Sequence, residues 1–362
     1  MMQRPVLNPM FVEDHDEDHA APAARPAWLR LAWAACRRTL SLLVAVVCFD
    51  LFFWRPRSKV RDETRNPWRR FVRGLALRLA LAPVVLACVV FAIVWGATHP
   101  AHIDPAQDPQ SLGLYFDPVT FAAADGAKLE GWLTNIIDEQ VVLREQDVAL
   151  RRTHPAVVLV HDFGYTRHQV MQLIRPLHDA GFNVLAVTTR GCGQGTYQAS
   201  TFGAAEAADV AAAVDVLRRR PFVAPAHIAV VGLGTGGTAA LLAAQRDPKI
   251  AAVVLDHPPL SLDEVLARHM APKLPGLGWT GPLCRWTFQV LHHVDPDQFD
   301  VARQIAAYGP RPLLVFDERS PARSVLSGAG QVQLIAFLRA HITPKAPTVR
   351  PNSVIRALGS AN

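Results

Sequence analysis

Cysteine is scarce in this chain. Five in 362 residues, at no regular spacing, do not make the bridged framework on which small secreted folds depend. Cys36, Cys48 and Cys88 lie in or near the apolar N-terminal region. Only Cys192 and Cys284 fall in the larger C-terminal part, and neither has a partner at metal-ligand spacing. Charge is also short, at 19% of residues against 50% hydrophobic, with mean hydropathy +0.15. The formal charge of +6 is confined to one place: between 55 and 73, eight Lys and Arg face only Asp62 and Glu63. The rest of the chain sums to zero, so a nucleic-acid surface is not expected. A basic run beside apolar segments reads instead as a membrane flank.

Charge is missing altogether from Leu79 to Ala97. As a helix, those residues span about 28 Å, the thickness of a bilayer core. Pro83 stands near one end and Trp95 at interface depth near the other. A second apolar run, Thr39–Trp54, is shorter and contains Asp50, an acid within reach of Arg55 and Arg57. After Ala97 no Lys or Arg appears until Lys128. The positive-inside rule then puts residues 55–73 in the cytoplasm and the large C-terminal part on the non-cytoplasmic side, most simply of a bacterial inner membrane.

The remaining boundaries follow from composition. Residues 1–28 are a polar, acidic-histidine tail; 29–97 are the membrane region; 98–115 are a Pro-rich linker; 116–342 form the large domain; and 343–362 are a C-terminal tail. Within the large domain, apolar runs of four to seven residues alternate with helical patterns. Examples are Ala156–Val160, Asn183–Thr188, Ile228–Val231, Ile250–Leu255 and Pro312–Phe316. Short connections between them predict a doubly wound, mostly parallel α/β sheet.

The densest signal is the strand–turn–helix–strand unit from His227 to Asp256. Its turn, Gly232-Leu233-Gly234-Thr235-Gly236-Gly237, admits two readings. As G-x-G-x-x-G it matches a dinucleotide fingerprint, with Asp256 where a ribose-binding acid would stand. As G-x-S-x-G it is a nucleophile elbow with glycine in place of serine. The order of the other landmarks decides. Asp125-Gly126, the strand ending in His161-Asp162-Phe163-Gly164, Arg190-Gly191-Cys192-Gly193, and Asp256-His257-Pro258-Pro259 follow one another along the chain. In that order they resemble the α/β-hydrolase superfamily, in particular its membrane-anchored esterase/peptidase-like branch.

The resemblance implies an α/β-hydrolase sheet preceded by one or two transmembrane helices, and a serine-hydrolase site of nucleophile, base, acid and oxyanion hole. This chain departs from that pattern. The nucleophile position falls on Gly234 and the acid position on Ser320. The base position has no histidine, since His341 reads as the end of a helix and the alternative placement puts Asn352 or Ser353 there. The amides of Phe163 and Thr235 correspond to the oxyanion hole. Asp162 stands where the family has glycine, its carboxylate expected beside the hole.

The expectation is therefore a triad that has lost its chemistry, in a protein that binds, scaffolds or assists within the membrane, with membrane-protein partners and no cofactor. An active hydrolase with a relocated nucleophile is the alternative, drawing on the pocket candidates His161, Asp162, Cys192, Asp256 and His257. A dinucleotide-binding module is the third. The spacing of His161, Asp162, Asp256 and His257 matches no metal motif. Residues 260–309, with Trp279, Trp286 and Phe288, would cover the pocket in an active relative.

Overall fold

The computed structural model describes residues 67–100, 107–136, 143, 152–193, 198–270, 280–316 and 324–344. The expectations for residues 1–66, including Thr39–Trp54, and for Ser320, Trp279, Asn352 and Ser353 lie outside the described residues. The chain divides into two units, Met1–Pro83 and Val84–Asn362. In the first, the described residues belong to helix α1 (Pro67–Thr98), which also opens the second. The helix thus starts inside the basic run, whose residues 67–73 are helical rather than loop. Among the described residues one stretch, Val72–Thr98, is long and apolar enough to cross a membrane, with a mean hydropathy of 2.6 over an 18-residue window.

The second unit is built on seven strands in the order β1-β2-β4-β3-β5-β6-β7. Strands β1 (Asp117–Ala122) and β2 (Lys128–Thr134) form a hairpin around Asp125-Gly126, with Gly126 at φ 85°. Both β1–β2 and β2–β4 pair antiparallel. The other strands pair in parallel: β3 (His154–Val160), β4 (Asn183–Thr188), β5 (Val223–Leu233), β6 (Ala252–Asp256) and β7 (Leu313–Phe316). A parallel strand inside the sheet must be covered on both faces, which is why β3, β4 and β6 read as near-continuous apolar runs.

Alternate residues of β3 show the two faces. Val158 and Val160 pack with helices α3 (Glu206–Arg219), α4 (Thr235–Arg246) and α7 (Val301–Tyr308). Val157 and Leu159 pack with α2 (Met171–Asp179) and α8 (Gly328–Ile342). A third apolar cluster joins Phe202 to α5 (Leu262–Met270), α6 (Gly281–His292) and the end of α1, through Val90, Val94 and Ala97. The compact unit therefore begins at Val84, ahead of the boundary at 116 expected from composition.

Candidate active site

The site forms where strands end and helices begin, at the carboxyl edge of the sheet, the usual ligand position in this architecture. Strand β5 delivers Gly234 into the turn before α4. Gly234 takes φ 51° and ψ −121°, a conformation that is strained for a residue with a side chain and open to glycine. Its N–H donates to the Asp256 carbonyl at 2.8 Å, which ties the turn to the end of β6. Gly236 lets α4 approach β3, since a Cβ there would strike the His161 carbonyl.

Asp162 reaches this turn from the loop after β3. Its Oδ1 accepts from the Phe163 N–H at 2.7 Å, from the Thr235 N–H at 2.8 Å and from the Thr235 hydroxyl at 3.0 Å. The Phe163 N–H also lies 3.0 Å from the Thr235 Oγ1. The Asp162 N–H donates to the Gln169 Oε1 at 2.8 Å, fixing the loop from below. The carboxylate thus takes both of the amides, Phe163 and Thr235, that the family resemblance matched to an oxyanion hole. Its physical basis is the N-terminus of α4, whose unpaired N–H groups and dipole favour a negative charge. Glycine at 234 is what leaves the room. A Cβ built on Gly234 would fall on the Asp162 carboxyl group.

His161 has both ring nitrogens committed to backbone groups. The ring is buried. Its Nε2 accepts from the Thr189 N–H at 3.1 Å, so the proton sits on Nδ1, 2.6 Å from the Asp162 carbonyl. Burial holds its pKa below the ordinary imidazole value, although the neighbouring Asp162 carbonyl and carboxylate oppose that shift. Cys192 is also buried, and desolvation pushes its thiol up to about 12. A thiol of that kind is not a nucleophile near neutral pH.

Together with Phe163 and Thr235, these residues line a small pocket with Ser200 and Glu206. Glu206 is the first residue of α3. In the structure its buried carboxylate accepts from the Ser200 hydroxyl (2.6 Å), the Thr201 N–H (3.0 Å) and hydroxyl (2.7 Å), and the Gly203 N–H (2.9 Å). It holds the pocket's wall, and each of its oxygens already accepts two hydrogen bonds.

The structure does not bring Asp256 and His257 into that pocket. The Asp256 carboxylate accepts from the Ser324 hydroxyl at 2.7 Å and the Val325 N–H at 3.3 Å, with the His257 Nδ1 3.0 Å away. His257 has φ 49° and donates its N–H to the Phe316 carbonyl. The pair pins the ends of β6 and β7 to the loop before α8. Ser324 carries no signal in the sequence that would reveal this partnership. His341 is exposed on α8, bonded to the Phe337 carbonyl of its own helix at 2.8 Å. No group of three or more His, Cys, Asp or Glu among the described residues is placed to hold a metal ion.

The dinucleotide reading of the glycine turn also meets two obstacles. The turn follows the fifth strand rather than the first, and the helix N-terminus that would bind pyrophosphate already holds Asp162.

Comparison with known proteins agrees with this geometry. The sequence profile of the Alpha/beta hydrolase family matches residues 157–352, more than half of the chain. The chain belongs to that family. Solved structures of like fold align over much of the chain. An esterase of Pyrococcus furiosus in one crystal form is 19% identical, with a TM-score of 0.53 over 68% of this chain and 98% of that one. The same enzyme in a second form is 20% identical, with a TM-score of 0.50 over 67% and 99%. An alpha-beta hydrolase from Vibrio vulnificus is 16% identical, with a TM-score of 0.46 over 77% and 84%. At these identities the likeness is one of fold. No curated protein sequence matches the chain.

Proposed function

We propose that this chain is a membrane-anchored α/β hydrolase whose catalytic site is closed by its own residues, and that it works as a binding, scaffolding or accessory subunit. One observation carries the proposal: the Asp162 carboxylate accepts from the Phe163 and Thr235 amides and occupies the space a side chain at Gly234 would need. On this reading those amides are the oxyanion hole and Gly234 is the nucleophile position. Attack on an acyl group needs a nucleophile, a base and an empty hole. Gly234 has no side chain, both ring nitrogens of His161 are committed to the Thr189 N–H and the Asp162 carbonyl, and the amides of Phe163 and Thr235 are taken. The assignment of Ser320 to the acid position, and the absence of a histidine at the base position, extend the same reading along the chain.

Anchoring rests on Val72–Thr98. The basic excess before it and the gap in Lys and Arg after it favour a non-cytoplasmic hydrolase-like domain in a bacterial inner membrane, with membrane-protein partners.

A second reading has one observation in its favour. The Asp162 carboxylate stands at the vertex where a nucleophile's side chain would begin, and its three hydrogen bonds all fall on Oδ1. On that reading Asp162 is the relocated nucleophile of an active hydrolase, the activity that the esterase of like fold suggests.

The test is hydrolysis of a panel of activated short-chain esters and thioesters by the purified full chain in detergent. A flat trace is expected. Turnover above buffer that disappears in Asp162→Asn would replace the first reading by the second. Turnover that survives Asp162→Asn would overturn both.

A further inference from the structure

The end of α1 is built into the domain that follows it. Val90, Val94 and Ala97, spaced i, i+4 and i+7, are 3%, 0% and 2% exposed. They are buried in one cluster with Leu262, Val265 and Leu266 of α5 and with Cys284 and Phe288 of α6. The last turn is stitched in as well: the Thr98 carbonyl accepts from the Ser200 N–H at 2.8 Å. Depth follows from this arrangement. The charge-free run Leu79–Ala97 has the length of a hydrocarbon core, and placing that core further back would draw Arg78 into it. Val90 to Ala97, about 10 Å of helix, therefore lies in the outer part of the core or at its edge. Whatever buries these three residues lies at the same depth.

Helix α6 shows the surface such a position requires. Its buried face carries Cys284 and Phe288. Nearly opposite, Leu283, Trp286 and Val290, at i, i+3 and i+7, are 39%, 63% and 52% exposed. The flank between carries Arg285, paired with Asp263 at 2.6 Å, and Gln289. An exposed stripe of Leu, Trp and Val on a twelve-residue helix is unfavourable in water. It suits the boundary between headgroups and acyl chains, where tryptophan is enriched.

We propose that the cap formed by α5 and α6 is seated in the outer leaflet of the membrane that α1 crosses, with Leu283, Trp286 and Val290 in contact with lipid. The occupant of this apolar face is thus the bilayer, because the neighbouring helix in the same cluster brings the face to it. The inference rests on the membrane reading of α1, and the experiment separates the two.

The full-length protein is reconstituted in phosphatidylcholine vesicles whose acyl chains carry bromine at shallow or deep positions. It is compared with Trp286→Phe and Trp95→Phe, which keep an apolar ring at each exposed position. The fluorescence each substitution removes belongs to one indole. We expect shallow bromines to quench most of the light lost in both variants. Quenching of Trp95 without quenching of Trp286 would put α1 in lipid and α6 outside it, overturning the proposal while the anchor stands. Quenching of neither would remove the anchor, and the proposal with it. Shielding of Trp286 that grows with the protein-to-lipid ratio, and not with bromine, would make a second copy its cover and also overturn the proposal.

Discussion

The Asp162 carboxyl group occupies the volume that any side chain at Gly234 would need. Each residue is the condition for the other. Gly234→Ser alone must expel the carboxylate from its three hydrogen bonds and hold a non-glycine residue at φ 51°, which together cost about 3 kcal/mol or more. Removing the carboxylate with Asp162→Gly makes room. The double variant Asp162→Gly/Gly234→Ser is therefore expected to unfold at a higher temperature than Gly234→Ser, with a favourable coupling of about 1–3 kcal/mol between the sites. Thermal unfolding of the four proteins in detergent measures it, and strictly additive effects would sever the relationship.

Burial of His161 makes acid destabilising. The folded state holds the ring neutral below its ordinary pKa of 6.5, while the unfolded chain takes up a proton there. The unfolded state thus binds more protons below that pH, and stability falls as pH drops through 6.5 toward the depressed folded value, by at most about 1.4 kcal/mol per pH unit. In His161→Gln this contribution is absent, so the loss between pH 7.5 and 5 becomes shallower. Unfolding curves across that range for the two proteins give the difference, and parallel slopes would contradict the assignment.

Cys192 should be close to inert in the folded protein. Raising its thiol from 9.0 to about 12 lowers the thiolate fraction near neutral pH about a thousandfold, before access is counted. Peptide mapping after iodoacetamide at pH 7.5 is expected to show Cys192 unmodified in the native protein and modified after denaturation. Rapid native labelling would return it to the candidates for a relocated nucleophile.

How far the sequence carried the fold depended on whether a signal was local. Asn183–Thr188 is the strand its composition predicts, residue for residue. Strand β5 is longer than its apolar run because Val223 pairs with His154 of β3 ahead of a register shift, after which Ile228 pairs with Ala156. The glycine elbow was visible because Gly232, Gly234 and Gly236 fall within five residues at motif spacing, although only Gly232 answers to crowding inside the turn itself. The seat of Asp162 was not, because it depends on a space left by Gly234 far along the chain. Composition likewise hid the two-sided nature of α1. In a run apolar all round, the buried residues Val90, Val94 and Ala97 differ from the exposed Phe91 and Trp95 only through tertiary contacts.

Those contacts make a prediction about where the domain can be cut. A chain beginning at residue 101, inside the linker that composition places at 98–115, lacks Val90, Val94 and Ala97 and uncovers the face of Phe202, Leu262, Val265, Leu266 and Phe288 that they cover. Each buried valine contributes about 2 kcal/mol through removal of its surface from water, and the bond from Ser200 to the Thr98 carbonyl is lost as well. Against the 5–15 kcal/mol that holds a typical domain together, this is a large fraction. A chain of residues 84–362 is therefore expected to melt cooperatively and at clearly higher temperature than one of residues 101–362, which should bind a hydrophobic dye such as ANS already at room temperature. Equal melting temperatures and equal dye binding would mean that α1 ends outside the domain core.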